Sequence, residues 1–425
     1  MRHKLKSLKD QVIVITGATS GIGLTTACMA ASRGAAVVLA ARNEEALETI
    51  CSAMRARGGR CETVVADVGK REDVQRIAET AQRAFGGFDT WVNNAGIGAY
   101  ATLEQMSDED HERLFQTNYW GVVYGSTEAL KTLKKRGGVL INVGSISSEM
   151  PSPLLSAYTA SKFAVKGFTD SLRLELIHEG APVRVTLIQP SGIDTPFGEH
   201  AKNYMDEASQ VPPPVYAPEV VAKAILHAAQ YPTRDLIVGG WGRFMVQLAR
   251  SVPVLADQVF SFAFFRTAKQ HGRSPRDTPK NMHSAGEDGK RYGDQGHHFS
   301  HSLYTTAKMY PVTSLGIIAV GVLGVLALTH RSDRHHHRGY YDRLRGAGHR
   351  LSDYAHDHGY GRGRHSYRSW LDRGYGQLRD ASNRVAHYAH DHGYGRGRHS
   401  YRSWLERYVD QAREASHRLR HNLGW

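Results

Sequence analysis

The segment VIVITGATSGIG, from Val12 to Gly23, restricts this chain more than any other stretch. A run of β-branched residues that ends in closely spaced glycines and passes directly into helical text reads as a strand, a tight turn and a helix N-terminus. Glycine lets the backbone turn sharply and approach a ligand. The first helical turn then offers unpaired N–H groups at the positive end of its dipole, a setting suited to a pyrophosphate. The residues expected at that anion site are Gly17, Thr19, Ser20, Gly21, Ile22 and Gly23.

From residue 10 to about 240, short apolar runs alternate with longer helical patterns, the text of β-α-β units around a parallel sheet. Strands are expected at 12–16, 36–40, 63–66, 90–93, 139–143, 183–189 and 236–238. Their near-continuous apolar character implies that both faces are covered, so the fold class is α/β with a doubly wound, seven-stranded parallel sheet. In such a sheet the ligand lies beyond the carboxyl ends of the strands. The second strand ends in Ala40-Ala41-Arg42-Asn43, without an acid. A carboxylate there would accept from a ribose 2′-hydroxyl, whereas Arg42 attracts a 2′-phosphate, which points to NADP(H) over NAD(H). The competing reading of Arg42 is a solvated arginine at a helix start.

Further along, Tyr158-Thr159-Ala160-Ser161-Lys162 places a phenol and an ammonium four residues apart on one helix face. The cation is expected to pull the Tyr158 pKa down from ~10, so that the phenol exchanges a proton near neutral pH. Ser145, just past the strand at 139–143, can donate to a substrate carbonyl as charge develops on its oxygen. With these motifs, residues 8–240 resemble the short-chain dehydrogenase/reductase family in its NADP(H)-preferring branch with TGxxxGIG and YxxxK signatures; the match covers slightly more than half of the chain. The resemblance implies a Rossmann-type catalytic domain over 1–243 with Asn118, Ser145, Tyr158 and Lys162 as its catalytic tetrad. It implies that Asp67 bonds the adenine amine beside Val68, and that Asn93, Asn94, Ala95 and Gly96 line the cofactor and steady the sheet. It also implies that Asn118 holds a proton-relay water, that Lys162 and Tyr158 contact the nicotinamide ribose, and that Pro190, Ile193 and Thr195 position the carboxamide. Ser191 stands where the family usually has glycine, with Gly192 displaced by one, and Gly144 replaces a commoner serine. Neither departure removes a group the chemistry needs.

The implied activity is an NADP(H)-dependent oxidoreductase interconverting a carbonyl and an alcohol, with Tyr158 as general acid/base and no metal. The loops 147–157 and 194–218 carry Phe197, Tyr204, Met205, Val211 and three consecutive prolines from Pro212, with few charges. A lipophilic small-molecule substrate is expected from them; the bland reading is a packed loop. Two further readings stay open: an epimerase or dehydratase on the same fold, and a membrane-anchored cofactor-binding scaffold acting through a basic tail. The resemblance also implies a homo-oligomer formed through the catalytic domain.

Beyond residue 243 the expected organisation is a helical extension at 244–270 and a flexible polar linker at 271–308. Residues 309–329 carry no charge over 21 positions. At 1.5 Å per residue they reach about 30 Å, which reads as a transmembrane or membrane-embedded helix. The Arg/His-rich tail at 330–425 is expected to be mostly helical or disordered. It repeats YAHDHGYGRGRHSYRSWL at 354–371 and 388–405, a period of 34. Of the net charge of +13, the tail holds +9, from 19 Arg against 10 Asp+Glu. Contact with anionic lipid is therefore expected of the tail, while nucleic acid is not an expected partner. The overall 41% hydrophobic and 22% charged content excludes collagen, wholesale disorder and a polytopic membrane protein. Cys28, Cys51 and Cys61 are odd in number and read as packed thiols in a reducing compartment. The N-terminus enters its first strand too soon for a signal peptide, so the expected location is a membrane with the catalytic domain on its cytoplasmic side.

Overall fold

The computed structural model describes residues 5–270, 282–286, 288–294, 296–311 and 314. Two compact units divide the chain, Met1–Leu323 and Gly324–Trp425. The tail with its repeat, and all of 309–329 except 309–311 and 314, lie outside the described residues. Among the described residues no helix is long and apolar enough to cross a membrane.

Seven parallel strands form the sheet: β1 (Val12–Thr16), β2 (Ala36–Ala41), β3 (Arg60–Val65), β4 (Thr90–Asn93), β5 (Gly138–Val143), β6 (Val183–Pro190) and β7 (Asp235–Val238). Their spatial order is β7-β6-β5-β4-β1-β2-β3, which reverses direction between β1 and β4. The carboxyl ends of those two strands therefore open the crevice where a doubly wound sheet binds its ligand. Strand ends differ from the sequence expectation by at most three residues. The largest difference is at β3, which begins at Arg60 because an edge strand is half exposed and lacks the continuous apolar signal.

Helices follow in chain order: α1 (Gly21–Ser32), α2 (Glu44–Arg55), α3 (Arg71–Phe85), α4 (Asp108–Phe115), α5 (Gly121–Arg136), α6 (Ser156–His178), α7 (Phe197–His200), α8 (Pro218–Ala228), α9 (Gly240–Ser251), α10 (Pro253–Thr267) and α11 (Leu303–Met309). The two-residue period of β1 sends Ile13 and Ile15 into one core and Val12 and Val14 into the other. The first core takes Ala27 and Ala30 of α1, Leu47 of α2 and Val221 and Ile225 of α8. The second takes Ile77 of α3, Leu133 of α5 and Leu176 of α6. Each fully buried aliphatic side chain of this kind contributes roughly 1.5–3 kcal/mol.

One expectation is corrected. Cys51 of α2 and Cys61 of β3 form a disulfide with a Cα–Cα separation of 5.6 Å, and only Cys28 is a free thiol. The tight turn after α2 folds the chain back on itself, which brings together two cysteines that spacing alone does not pair. Within the stretch expected as a linker, Gly289, Lys290 and Phe299 make backbone hydrogen bonds to Thr19, Gly21, Val215 and Ala217, and α11 packs against α8 and β7. The expected helical extension at 244–270 holds the later part of α9, which already begins at Gly240, and all of α10, which starts at Pro253, whose missing N–H suits the first turn of a new helix.

Candidate active site

The glycine loop ends β1 and is tied to β4. Thr16 Oγ1 accepts from the N–H groups of Asn94 (3.0 Å) and Ala95 (3.1 Å), and Asn94 Nδ2 donates back to the carbonyls of Thr16 and Gly17. The approach is so close that a Cβ on Gly17, where φ is +64°, would lie 2.8 Å from Ala95 Cα. A Cβ on Gly23 would lie 2.0 Å from the Gly17 carbonyl oxygen. Gly23 thus seats α1 against the loop and does not itself face the cleft.

The cleft beyond this loop has a volume of about 190 Å³. Of the sequence-nominated cofactor residues, its walls include Gly17, Thr19, Ser20, Gly21 and Ile22 from the loop, and Arg42, Asp67 and Val68 from the ends of β2 and β3. Asn94, Ala95, Gly96 and Thr195 complete that set. Pro190 closes β6 and Ile193 packs into the core, both behind the cleft surface. Thr117 Oγ1 lines the cleft and is buried with no hydrogen-bond partner among the described residues. A helix start with an unpartnered buried hydroxyl beside it suits a phosphate-linked dinucleotide, and one N–H of that start, Gly21, donates to the Lys290 carbonyl at 2.9 Å.

At the strand-β2 end, Arg42 donates to the Met282 carbonyl at 3.2 Å. Burial lowers its pKa, opposed by the charges of Asp67 and Asp288. Asp67 accepts from Arg113 Nη2 at 2.6 Å and from the Gly69 N–H at 2.9 Å. Burial works to raise the Asp67 carboxyl, but Arg113, the Gly69 amide and Arg42 together hold it below the usual range. Arg113, on α4, also donates to the Met282 carbonyl at 3.0 Å. Nothing in its helical text singled it out, because only the folded chain brings α4 to the end of β3.

The four nominated catalytic residues gather behind the cleft wall formed by Gly96, Ile97 and Phe197, and none of the four lines the cleft itself. Asn118 sits in a π-helical turn, Gln116–Trp120, between α4 and α5, an irregularity often found at functional sites. Its side chain accepts from the Ile97 N–H (2.8 Å) and donates to the Ile97 carbonyl (3.0 Å) and to Ser161 (3.1 Å). A Cβ on cleft-lining Gly96 would meet Asn118 Oδ1 at 3.4 Å and Lys162 Nζ at 3.7 Å. Lys162 is buried, and its Nζ donates to the Val143 carbonyl at 2.9 Å. Tyr158, one helical turn earlier on α6, stands at a ring separation of 5.3 Å from Phe197 of the cleft wall.

The titration of this group departs from the sequence expectation. Burial pushes Tyr158 up to about 12, with the hydrogen bond from Ser145 acting the other way. Burial lowers Lys162 to about 8. The expected net lowering is not found: burial dominates at the phenol, while Lys162 Nζ, bonded to the Val143 carbonyl, lies 5.6 Å from the Tyr158 ring centre. Tyr158 is therefore a protonated donor at neutral pH.

Ser145 begins a short helical turn, Ile146–Ser148, and its Oγ accepts from the Ser147 N–H at 3.1 Å. The Gly144 substitution fits the packing: a Cβ there would meet Ser148 Oγ at 2.9 Å. Ser191 is also accommodated, donating to the Val238 carbonyl at 2.8 Å. Around Tyr158, an apolar wall forms from Tyr100, Leu154, Leu155, Met205 and Phe264. Leu154 and Leu155 come from the first nominated loop and Met205 from the second. Tyr204 turns away and donates to Asp110, which is also bonded to Lys202 and His283.

Residues 11–205 match a family profile described as short chain dehydrogenase. An uncharacterized oxidoreductase, YxnA, of Bacillus subtilis is 45% identical over 323 residues, covering 74% of this chain and 90% of that protein. A 3beta-hydroxysteroid dehydrogenase of Mediterraneibacter gnavus is 35% identical over 193 residues, 45% of this chain and 69% of its own length. A crystal structure of a short chain dehydrogenase/reductase from Burkholderia phymatum in complex with NAD superposes with a TM-score of 0.54 at 27% identity, covering 59% of this chain and 96% of that one. A short chain dehydrogenase from Burkholderia cenocepacia in complex with NADP gives 0.51 at 26% identity, covering 60% and 99%.

Proposed function

The chain belongs to the short-chain dehydrogenase family, and on that premise we propose that it is an NADP(H)-dependent oxidoreductase that interconverts a carbonyl and an alcohol on a lipophilic small molecule. The observation that carries this reading is the convergence of Tyr158, Ser145, Lys162 and Asn118 directly behind Gly96 and Phe197, two wall residues of the cleft that the glycine loop also lines. The nicotinamide, when bound, supplies or accepts the hydride. In the reductive direction Tyr158 gives its phenolic proton to the substrate oxygen, and the Ser145 hydroxyl donates to the same oxygen as charge develops on it. Lys162, as an ammonium, offsets the phenolate charge left on Tyr158. Asn118 fixes the Ile97 backbone at the cleft wall through its two bonds. Arg42 at the end of β2 supports the choice of NADP(H) through attraction to a 2′-phosphate.

The apolar wall around Tyr158 supports a lipophilic substrate, and hydroxysteroid dehydrogenases among the relatives point the same way. Membrane association, with the catalytic domain on the cytoplasmic side and the tail against anionic lipid, is supported by the uncharged run 309–329. Trp241, Phe244, Leu255 and Phe262, exposed on α9 and α10, add to that support. Flotation of the full chain with vesicles tests it; recovery of the protein entirely at the bottom of the gradient would refute it. Homo-oligomerisation is supported by exposed Trp120 in the π-helical turn before α5 and by exposed Phe163, Leu174 and Ile177 along α6, and sedimentation as a monomer would refute that.

The activity itself is tested by NADPH oxidation with the full chain against ketones, aldehydes and quinones of increasing hydrophobicity. Turnover abolished by Tyr158→Phe is the expected result. Cofactor binding without turnover would favour the scaffold reading, and an isomerised or dehydrated product with no net redox change would favour an epimerase or dehydratase.

A further inference from the structure

The strand-β2 end lacks an acid, yet the folded chain brings one to that place from far along the sequence. Residues 282–286 and 288–294 lie along the cofactor end of the cleft and form a strap there. Met282 receives bonds from Arg42 and Arg113, and the Gly286 carbonyl accepts from Asn43 Nδ2 at 3.1 Å. The Gly289 N–H donates to the Thr19 carbonyl and the Gly21 N–H to the Lys290 carbonyl, both at 2.9 Å. Asp288 lies between these two anchor points, is half-buried, and lines the same cleft as Arg42.

We infer that Asp288 is a selectivity residue for the adenosine end of the dinucleotide: it supplies the carboxylate that the end of β2 lacks, favouring a free ribose 2′-hydroxyl and opposing a 2′-phosphate. This deepens the proposed function and rests on its reading of the cleft as a nicotinamide dinucleotide site. Arg42 and Asp288 then act in opposite senses, so the strap tempers the preference that Arg42 creates. A carboxylate accepts from a hydroxyl and repels a phosphate dianion, which makes the two cofactors respond to its charge with opposite signs. A merely structural clasp would change both alike.

The test is the dissociation constant of the full-length protein for NADP⁺ and NAD⁺, and for the fragments 2′,5′-ADP and 5′-ADP, by titration calorimetry. Asp288→Asn is expected to tighten NADP⁺ and 2′,5′-ADP and to weaken NAD⁺ and 5′-ADP, changing the ratio by about tenfold or more. Asp288→Glu, which keeps the charge, is expected to stay near the wild-type ratio. Equal changes for both cofactors, no change in the ratio, or a shift shared by the Asn and Glu variants would each overturn the inference while leaving the site reading intact. Failure of wild-type protein to bind either dinucleotide would overturn the site reading and this inference with it.

Discussion

At Tyr158 the physical contest is between burial and the hydrogen bond from Ser145, and burial wins. The phenol is pushed up to about 12, so it is charged with a proton across the whole working range and fit to donate. Tyr158→Phe is expected to lower kcat by ~10²–10⁴, the usual contribution of a positioned proton donor, with cofactor affinity measured by calorimetry changed far less. Lys162, lowered to about 8 by burial, is the group whose charge changes near working pH. Its ammonium is present below about 8 and lost above it, so the reductive kcat is expected to fall as pH rises through about 8. A pH-rate profile that stays flat between about pH 7 and 10 would remove Lys162 from the proton chemistry. The YxxxK spacing makes the pair visible in sequence, but the direction of the tyrosine shift depends on how deeply the phenol is buried, which spacing does not report.

At the scale of elements, the loop between β1 and α1 and its partner β4 behave as one unit. Gly23→Ala would drive a methyl into the Gly17 carbonyl, so the loop must shift. The expected result is a loss of ~1–3 kcal/mol in stability by denaturant titration, together with weaker dinucleotide binding. Deeper in the sheet, Asn93 accepts from Trp91 Nε1 at 2.7 Å and donates to Asn142 Oδ1 at 2.9 Å, and Asn142 in turn donates to Thr169 of α6. This buried chain links β4, β5 and the helix that carries Tyr158 and Lys162. Asn93→Ala removes the acceptor of Trp91 Nε1 and the donor to Asn142 Oδ1 and is expected to cost ~1–3 kcal/mol, read as a lowered denaturation midpoint.

For the whole molecule, Asp110 of α4 is the junction between the substrate-side loop and the strap. Burial tends to raise its carboxyl, but bonds from Lys202, Tyr204 and His283 hold it down at about 2. A carboxyl depressed on folding contributes stability that is fully present above its unfolded pKa of ~4 and is lost as pH falls through about 2. Asp110→Asn is therefore expected to lower the melting temperature at neutral pH and to flatten its decline on acidification. An unchanged acid limb would show that this junction contributes nothing measurable. Binding a dinucleotide at a hundred times its Kd is expected to stabilise the fold by ~2.7 kcal/mol, seen as a raised melting temperature.

Local sequence determined the seven-stranded sheet, its glycine loop, and the phenol, ammonium and serine of the site, because each rests on short-range periodicity, a backbone demand or a fixed helical spacing. Tertiary structure alone decided the rest. The Cys51–Cys61 pairing, the grip of Arg113 on Asp67, and the strap that lays Asp288 beside Arg42 all join segments that no periodic pattern connects. Arg42 and Met282 are 240 positions apart, and their contact exists only because the β2 end and the strap meet at the same edge of one crevice. A polar stretch with glycines reads as a linker when its bonding partners are distant in sequence, since its hydrogen bonds leave no local trace.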